Sequence, residues 1–297
     1  MFAFLPLFLR LPLVALLIAL STLAHTLPLF VVAFFKWLLP LPAFRRACNH
    51  VLVGLAESWI AVNSALFGLF TRTKFVIEGL EDLKTDGHYL VFANHQSWVD
   101  IPVLQKVFNR RIPFLRFFLK SQLIWVPLLG PAWWALDFPF MKRYSKEMLA
   151  KRPELAGQDT IATRRACEKF RDMPVSVMNF VEGTRFTPEK HARQLSPFAH
   201  LLKPKAGGVA FVLDAMGSAL HSIVDVTLVY PGGKPTMFDL MANRVPEVRV
   251  QVRQRAIPAE FLAGDYESDR PFRARFQQWM NGVWRDKDEQ ITRMRVD

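Results

Sequence analysis

Between Leu11 and Phe35 the chain carries no Asp, Glu, Lys or Arg. A run beyond roughly 18 apolar residues is long enough to cross a bilayer. It is too long for the core of a signal peptide, and it lacks both a clear basic leader and a convincing small-residue cleavage site. Two apolar lengths, residues 4–24 and 28–44, are joined by His25-Thr26-Leu27-Pro28. Pro28 disfavours helix in the residue before it, so the head reads either as one tilted span or as a helical hairpin. The second length, interrupted by Lys36, Pro40 and Pro42, reads as a shallow or re-entrant element. Arg72 and Lys74 follow closely and favour a cytoplasmic position for the rest of the chain.

With 297 residues, the organisation expected is a membrane anchor over 1–45, an amphipathic or linking helix over 46–70 and a globular domain over 71–297. The formal charge is +12, and most of it lies behind residue 70. Nucleic acid is one class of partner for so basic a domain. For a domain tied to a bilayer the nearer partner is anionic membrane lipid, and no nucleic-acid partner is expected. Cys48 and Cys167 are the only cysteines; they have neither a metal-site spacing nor the pattern of a disulfide scaffold.

Past the head, strands and helices mix. Phe75 to Leu80 reads as a strand, and His88 to Ala93 as a more buried one. Pro102 suits the first turn of a helix over 101–109. Residues 117–140 are rich in tryptophan but broken by Lys120, Pro127, Gly130, Pro131 and Asp137, so they are not read as a span. A helix is expected over 156–171, a buried strand over Val175–Phe180, a helix or strand over Val209–Leu213, and a strand over Ile223–Tyr230. Val248, Val250 and Val252 alternate with Arg249, Gln251 and Arg253, the pattern of a half-buried strand. Pro271 opens a helix with Phe272, Phe276, Trp279, Met280, Val283 and Trp284 on one face. Such a mixture predicts an α/β fold.

Four segments carry candidate chemistry. Asn94-His95-Gln96-Ser97-Trp98-Val99-Asp100 follows the apolar run ending at Ala93, where a strand gives way to a loop and then a helix. Loops at strand ends are where α/β proteins hold reacting groups. A base there needs one imidazole nitrogen free and the other donating to a fixed carboxylate; Asp100 is placed to be that carboxylate. The alternative is a structural turn histidine. Glu182-Gly183-Thr184-Arg185 ends a second strand, and Thr184 with Arg185 can offer a hydroxyl, amides and a guanidinium fork to a phosphate. Glu182 would hold Arg185 or a loop amide, or accept from a substrate hydroxyl; an ordinary turn with a surface ion pair competes with this reading. Lys142-Arg143, after Phe140-Met141, and the basic, glycine-containing loop Lys203–Gly208 are further cationic candidates or solvated charges. No G-x-S-x-G occurs and no Ser or Cys is poised as a nucleophile.

The order and separation of the Asn94–Asp100 and Phe180–Arg185 motifs resemble the glycerolipid acyltransferase family, whose bacterial archetype is 1-acylglycerol-3-phosphate acyltransferase. Weaker landmarks extend the likeness over about residues 70–235. Asp225-Val-Thr-Leu-Val-Tyr230-Pro231, with Leu201–Gly208, looks more like the subgroup containing larger lysophospholipid and lysocardiolipin acyltransferases. The resemblance implies a mixed sheet flanked by helices behind a hydrophobic helix or hairpin. It implies acyl transfer from acyl-CoA or acyl-carrier protein to the free hydroxyl of a lysophospholipid, without a covalent acyl-enzyme and without metal or other cofactor. His95 would be the base and Asp100 its partner. Arg143, Lys142, Glu182, Gly183, Thr184 and Arg185 would hold the acceptor phosphate, with Asn94, Ser97, Lys205 and Gly207 in support. The implied location is a bacterial inner membrane, with the catalytic domain facing the cytoplasm. Two rivals stand beside this: a membrane phosphatase or other hydrolase, and a non-catalytic binder of anionic lipid or nucleic acid.

Overall fold

Helix α1 runs unbroken from Leu7 to Leu38, through both Pro12 and Pro28. The break expected at Pro28 is absent. A proline in a helix forfeits one N–H bond and crowds the carbonyl four residues back, but ending the helix in apolar surroundings would strand more backbone groups than continuing it. Helix α2 spans Pro42–Phe70, with Pro42 in its first turn, a position where the missing N–H costs nothing. The expected re-entrant element over 28–44 is therefore the end of α1, a turn and the start of α2. Residues 46–70 continue α2 and do not form a separate helix.

The computed structural model describes residues 2–141, 152, 173–262, 264–266 and 268–296. These fall into two units, Met1–Thr71 with Arg116–Ala166, and Arg72–Leu115 with Cys167–Asp297. In the first unit α1 and α2 form an antiparallel hairpin. His25 Nε2 lies 3.1 Å from Ser58 Oγ, and Trp59 Nε1 donates to Thr22 Oγ1 at 3.1 Å. Phe2 stacks on Phe70, which sets the start of α1 beside the end of α2. Phe8, Leu16, Leu27, Val31 and Trp37 face outward, exposed. Both helices are long and apolar enough to cross a membrane. Over 117–140 the unit has only short pieces, among them the helix Leu129–Ala135, and Trp125 and Trp134 are exposed.

The second unit is built on a mixed sheet. Five strands lie wholly within it: β1 (Lys74–Glu78), β2 (His88–Ala93), β3 (Val175–Phe180), β4 (Ser222–Val229) and β5 (Glu247–Arg255). Their order is β1-β5-β4-β2-β3. β2 is parallel to both β3 and β4, β4 and β5 are antiparallel, and β5 is parallel to β1. Every residue of β4 is buried, as expected of a central strand covered on both faces.

Helix α3 (Asp100–Phe108) covers one face, where its Lys106 Nζ sits 5.1 Å from the Phe75 ring. Helices α4 (Ala206–Met216) and α5 (Arg270–Val296) belong to the other side. Residues 209–213 are thus helical, and Asp269 caps α5 by accepting from Phe272 N–H at 3.0 Å. Phe272, Phe276, Met280, Val283 and Trp284 of α5 are all buried, the single face that their spacing predicts. Burying a side chain of this size stabilises by about 1.5–3 kcal/mol, so this face is a principal contributor to the core. The helix expected over 156–171 lies outside the described residues.

Candidate active site

The parallel strands β2 and β3 end side by side, which brings the two motif loops together. Ala93 and Phe180 are register partners at the carboxyl ends of those strands. Beyond Ala93 the side chain of Asn94 takes over from the backbone. Its Nδ2 donates to Leu228 O and its Oδ1 accepts from Leu228 N–H, both at 2.9 Å. Gln96 Nε2 adds a bond to the same carbonyl at 3.1 Å. The loop can therefore leave the sheet without orphaning the backbone of β4.

Asp100 opens α3 and is fully buried. Its Oδ2 accepts from His95 Nδ1 at 2.8 Å, Gln96 N–H at 2.6 Å and Ser97 N–H at 2.9 Å. Its Oδ1 accepts from Tyr230 O–H at 2.7 Å. With a carboxylate facing Nδ1, the proton of a neutral imidazole resides there, leaving Nε2 with its lone pair. No described residue bonds that Nε2. The ring lies flat on Phe180, with centroids 3.9 Å apart, so its rotation is restrained from the side as well. Ser97 Oγ accepts from Val99 N–H at 3.0 Å and donates to Pro235 O. It serves the loop's shape.

Glu182 is placed differently from the phosphate-contacting role assigned to it on sequence. It is fully buried, and its two oxygens accept from His95 N–H and Leu202 N–H, each at 2.8 Å. Of the roles open to it, holding loop amides is the one its geometry fits. Burial pushes its carboxyl up to about 7, against the two amide bonds, which pull it down. Phe186 N–H donates to His95 O at 2.8 Å, so the two loops are joined by both backbone and side chain.

Gly183 has φ +68, and a Cβ there would stand 2.9 Å from Lys205 Cδ. Conformation and space both ask for glycine. Thr184 Oγ1 accepts from Lys190 Nζ at 2.8 Å, and the same ammonium reaches Arg185 O at 2.9 Å. The Arg185 side chain is exposed, with its guanidinium 4.7 Å from the centre of the exposed Trp98 ring. Lys234 Nζ donates to Phe186 O at 2.7 Å and lies over the Phe186 ring. Burial lowers the pKa of that ammonium. Arg185, Lys190, Lys205 and Lys234 thus collect around the Gly183–Phe186 turn. Gly207 lies in the first turn of α4, where a Cβ would make only an ordinary 3.5 Å contact with Tyr266. Lys142 and Arg143 lie outside the described residues.

Three features had no sequence signal that spacing could supply. Tyr230, just past the end of β4, reaches Asp100 across 130 positions. Lys190 and Lys234 look like ordinary surface cations until the turn is folded between them. Beneath β4, Lys287 of α5 is fully buried; its Nζ lies 2.5 Å from Asp225 Oδ1 and donates to Val226 O at 2.6 Å. Arg255 Nε completes the group at 2.8 Å from Asp225 Oδ2. Burial lowers the Lys287 pKa, and Asp225 opposes that shift.

A hydroxyl brought to Nε2 of His95 would meet a fixed proton acceptor with cations close by. Such a site is suited to acyl or phosphoryl chemistry on a phosphate-bearing alcohol. Residues 74–231, which contain both loops and the end of β4, match the family model described as Acyltransferase. The chain belongs to this acyltransferase family.

Among curated proteins it is 25% identical over 250 residues to mouse 1-acyl-sn-glycerol-3-phosphate acyltransferase gamma, covering 80% of this chain and 59% of that one. It is 22% identical over 216 residues to the 2-acyl-1-lysophosphatidylinositol acyltransferase of Saccharomyces cerevisiae, covering 59% of this chain and 53% of that one. The chain therefore spans between half and two thirds of the length of these relatives. In fold it is similar to the crystal structure of the 1-acyl-sn-glycerophosphate (LPA) acyltransferase, PlsC, from Thermotoga maritima. The TM-score is 0.57 at 17% identity, over 97% of this chain and 98% of that one.

Proposed function

We propose that this protein is membrane-associated and transfers a fatty acyl group from acyl-CoA or acyl-carrier protein to the free hydroxyl of 1-acylglycerol-3-phosphate or a related lysophospholipid. The observation that carries the reading is the His95 Nδ1 to Asp100 Oδ2 contact at 2.8 Å, with Nε2 left open beside the Arg185 turn. In the proposed reaction Nε2 takes the acceptor's hydroxyl proton as its oxygen attacks the thioester carbonyl. Asp100 stabilises the imidazolium that forms. The imidazolium returns the proton to the departing thiolate as the C–S bond breaks and the ester forms. The acyl group passes directly to the acceptor, without a covalent acyl-enzyme. Arg185 and Thr184, with Lys205 and the cations at 142 and 143, are proposed to hold the acceptor phosphate, and Asn94, Ser97, Gly183 and Glu182 to keep the loops in register.

A larger acceptor, of the lysophosphatidylglycerol or lysocardiolipin type, is the second reading; the yeast lysophosphatidylinositol relative supports it. The apolar α1–α2 hairpin is proposed to embed the chain in a bacterial inner membrane, with Arg72 and Lys74 favouring a cytoplasmic catalytic domain. The test is purified full-length protein supplied with a panel of lysolipids and labelled acyl-CoA. His95→Ala should lose about 10²–10⁴-fold in turnover while folding and partitioning to membrane as the parent does. Undiminished transfer in that variant would refute the proposal, and release of free fatty acid without an acylated lipid would point to a hydrolase.

A further inference from the structure

On the sheet face that carries α5, the helix leaves β1 and the neighbouring half of β5 partly open. The result is a groove of about 550 Å³. Its floor is the row Arg249, Gln251 and Arg253 of β5. Lys74, Val76 and Glu78 of β1 form one wall, and Gln290, Arg293 and Met294 of α5 the other. Residues two apart on a strand share a face, and residues three and four apart on a helix share a side. All three elements thus present their polar positions to one space.

The groove's charges have unequal ties. Arg249 is committed: its Nε contacts Glu247 Oε1 at 2.5 Å and its Nη1 donates to Met294 O at 2.6 Å. Lys74 is mostly exposed and only 3.6 Å from Glu247. Arg253 has one long bond, 3.3 Å, to Gln251 Oε1, and Arg293 is exposed. A second, independent feature lies at the back. Gln290 is 2% exposed and its Nε2 has no hydrogen-bond partner among the described residues. Its orientation is fixed by its neighbours. Thr227 Oγ1 accepts from Lys287 Nζ at 3.3 Å and donates its own proton to Gln290 Oε1 at 3.2 Å. The amide NH₂ is therefore the end left unmatched, which is uncommon for a buried group in a native protein.

We infer that this groove is a second ligand site, distinct from the His95 centre, and that it takes a phosphorylated polyol. Arg253, Arg293 and the Gln290 amide would receive the phosphate. Glu78 and Glu247, acceptors at the rim, would take hydroxyls of the attached sugar or glycerol. Among the described residues the apolar lining is Val76, Val250 and Met294, which does not suit an acyl chain, and the volume lies in the range of small-molecule sites and far exceeds that of a bare anion. The ligand's phosphate and hydroxyls can come from a nucleotide or from a lipid headgroup.

The test is calorimetric titration of the full-length protein in detergent, in an Arg185→Ala background that weakens the proposed acceptor site. The two probes are adenosine 3′,5′-bisphosphate and sn-glycerol 3-phosphate. Saturable binding of either is expected, and which one binds identifies the source. Adding Arg253→Ser and Arg293→Ser should weaken it at least tenfold without altering the melting transition. Gln290→Leu, which keeps the charges, should also weaken it. No saturable binding of either probe, or an affinity unchanged by the two serine substitutions, would overturn the assignment. Neither result bears on transfer activity, which the His95→Ala comparison tests separately.

Discussion

Tyr230 Oη lies 2.7 Å from Asp100 Oδ1, the one oxygen of that carboxylate that His95 and the two loop amides do not use. The four donors on Asp100 therefore come from the motif itself and from the far end of β4. A carboxylate held by four donors is fixed in orientation, and it fixes the imidazole in turn. Burial and the Asp100 charge both raise the phenol's pKa well above its ordinary value. Tyr230 is thus a donor throughout the physiological range.

Tyr230→Phe removes that donor and little volume. A hydrogen bond to a charged group is worth about 1.5–3 kcal/mol, so kcat for acyl transfer should fall roughly tenfold to a hundredfold with the acceptor KM unchanged. Steady-state kinetics with a lysolipid decides it. A change confined to KM would contradict a positioning role.

Glu182 makes stability depend on pH with a defined sign. Burial raises its carboxyl from 4.5 to about 7, so the folded chain holds this proton more tightly than the unfolded one. Its stabilising contribution is complete below about pH 4.5 and is lost as pH rises through about 7, roughly 3 kcal/mol in all. Melting of the parent and of Glu182→Gln between about pH 5 and 8 should show the steeper decline in the parent; equal slopes would remove Glu182 as the cause.

Arg185 is exposed and stacked on Trp98, so its loss should leave the fold intact. Arg185→Ala is expected to raise the apparent KM for a lysolipid phosphate about tenfold, a charge-assisted contact discounted for solvent, and to change kcat far less. An unaltered KM would take Arg185 out of the acceptor site.

Lys287→Met leaves the Asp225 carboxylate buried with Arg255 as its remaining cation. Breaking a buried pair from one side costs about 3–5 kcal/mol, and the surviving Arg255 contact places the expected loss near the lower value. Chemical denaturation measures it. Adding Asp225→Asn should restore part of the loss, whereas additive losses would argue against a coupled pair.

The α/β class was legible because its signals are local. The valines of β5 alternate with arginines, and the apolar positions of α5 repeat at helical spacing. The His95–Asp100 relationship was legible too, because a strand end, a short loop and a helix start nearly fix the geometry of residues five apart. Pro28 misled because a proline's local preference was read without the apolar surroundings that favour an unbroken helix. Glu182 was legible in part: holding a loop amide was one of the roles its residue type offered, and only burial against His95 N–H and Leu202 N–H selects that one. Arg249, Arg253 and Arg255 resemble one wet strand face, yet Arg255 pairs with buried Asp225, Arg249 ties down the end of α5, and Arg253 remains in the groove.

The sequence by itself determined the apolar head, the strand and helix periodicities, and two polar loops placed after apolar strands. All of these follow from the chemistry of neighbouring residues. Tertiary structure decided which distant groups share an environment. Parallel register sets Glu182 under the amide of His95, β4 carries Tyr230 to Asp100, and α5 delivers Lys287 to Asp225. Those partners lie 87, 130 and 62 positions apart, and no local preference encodes such separations. Burial then sets their protonation and strength, because removing water penalises each charge and strengthens the bonds that satisfy it.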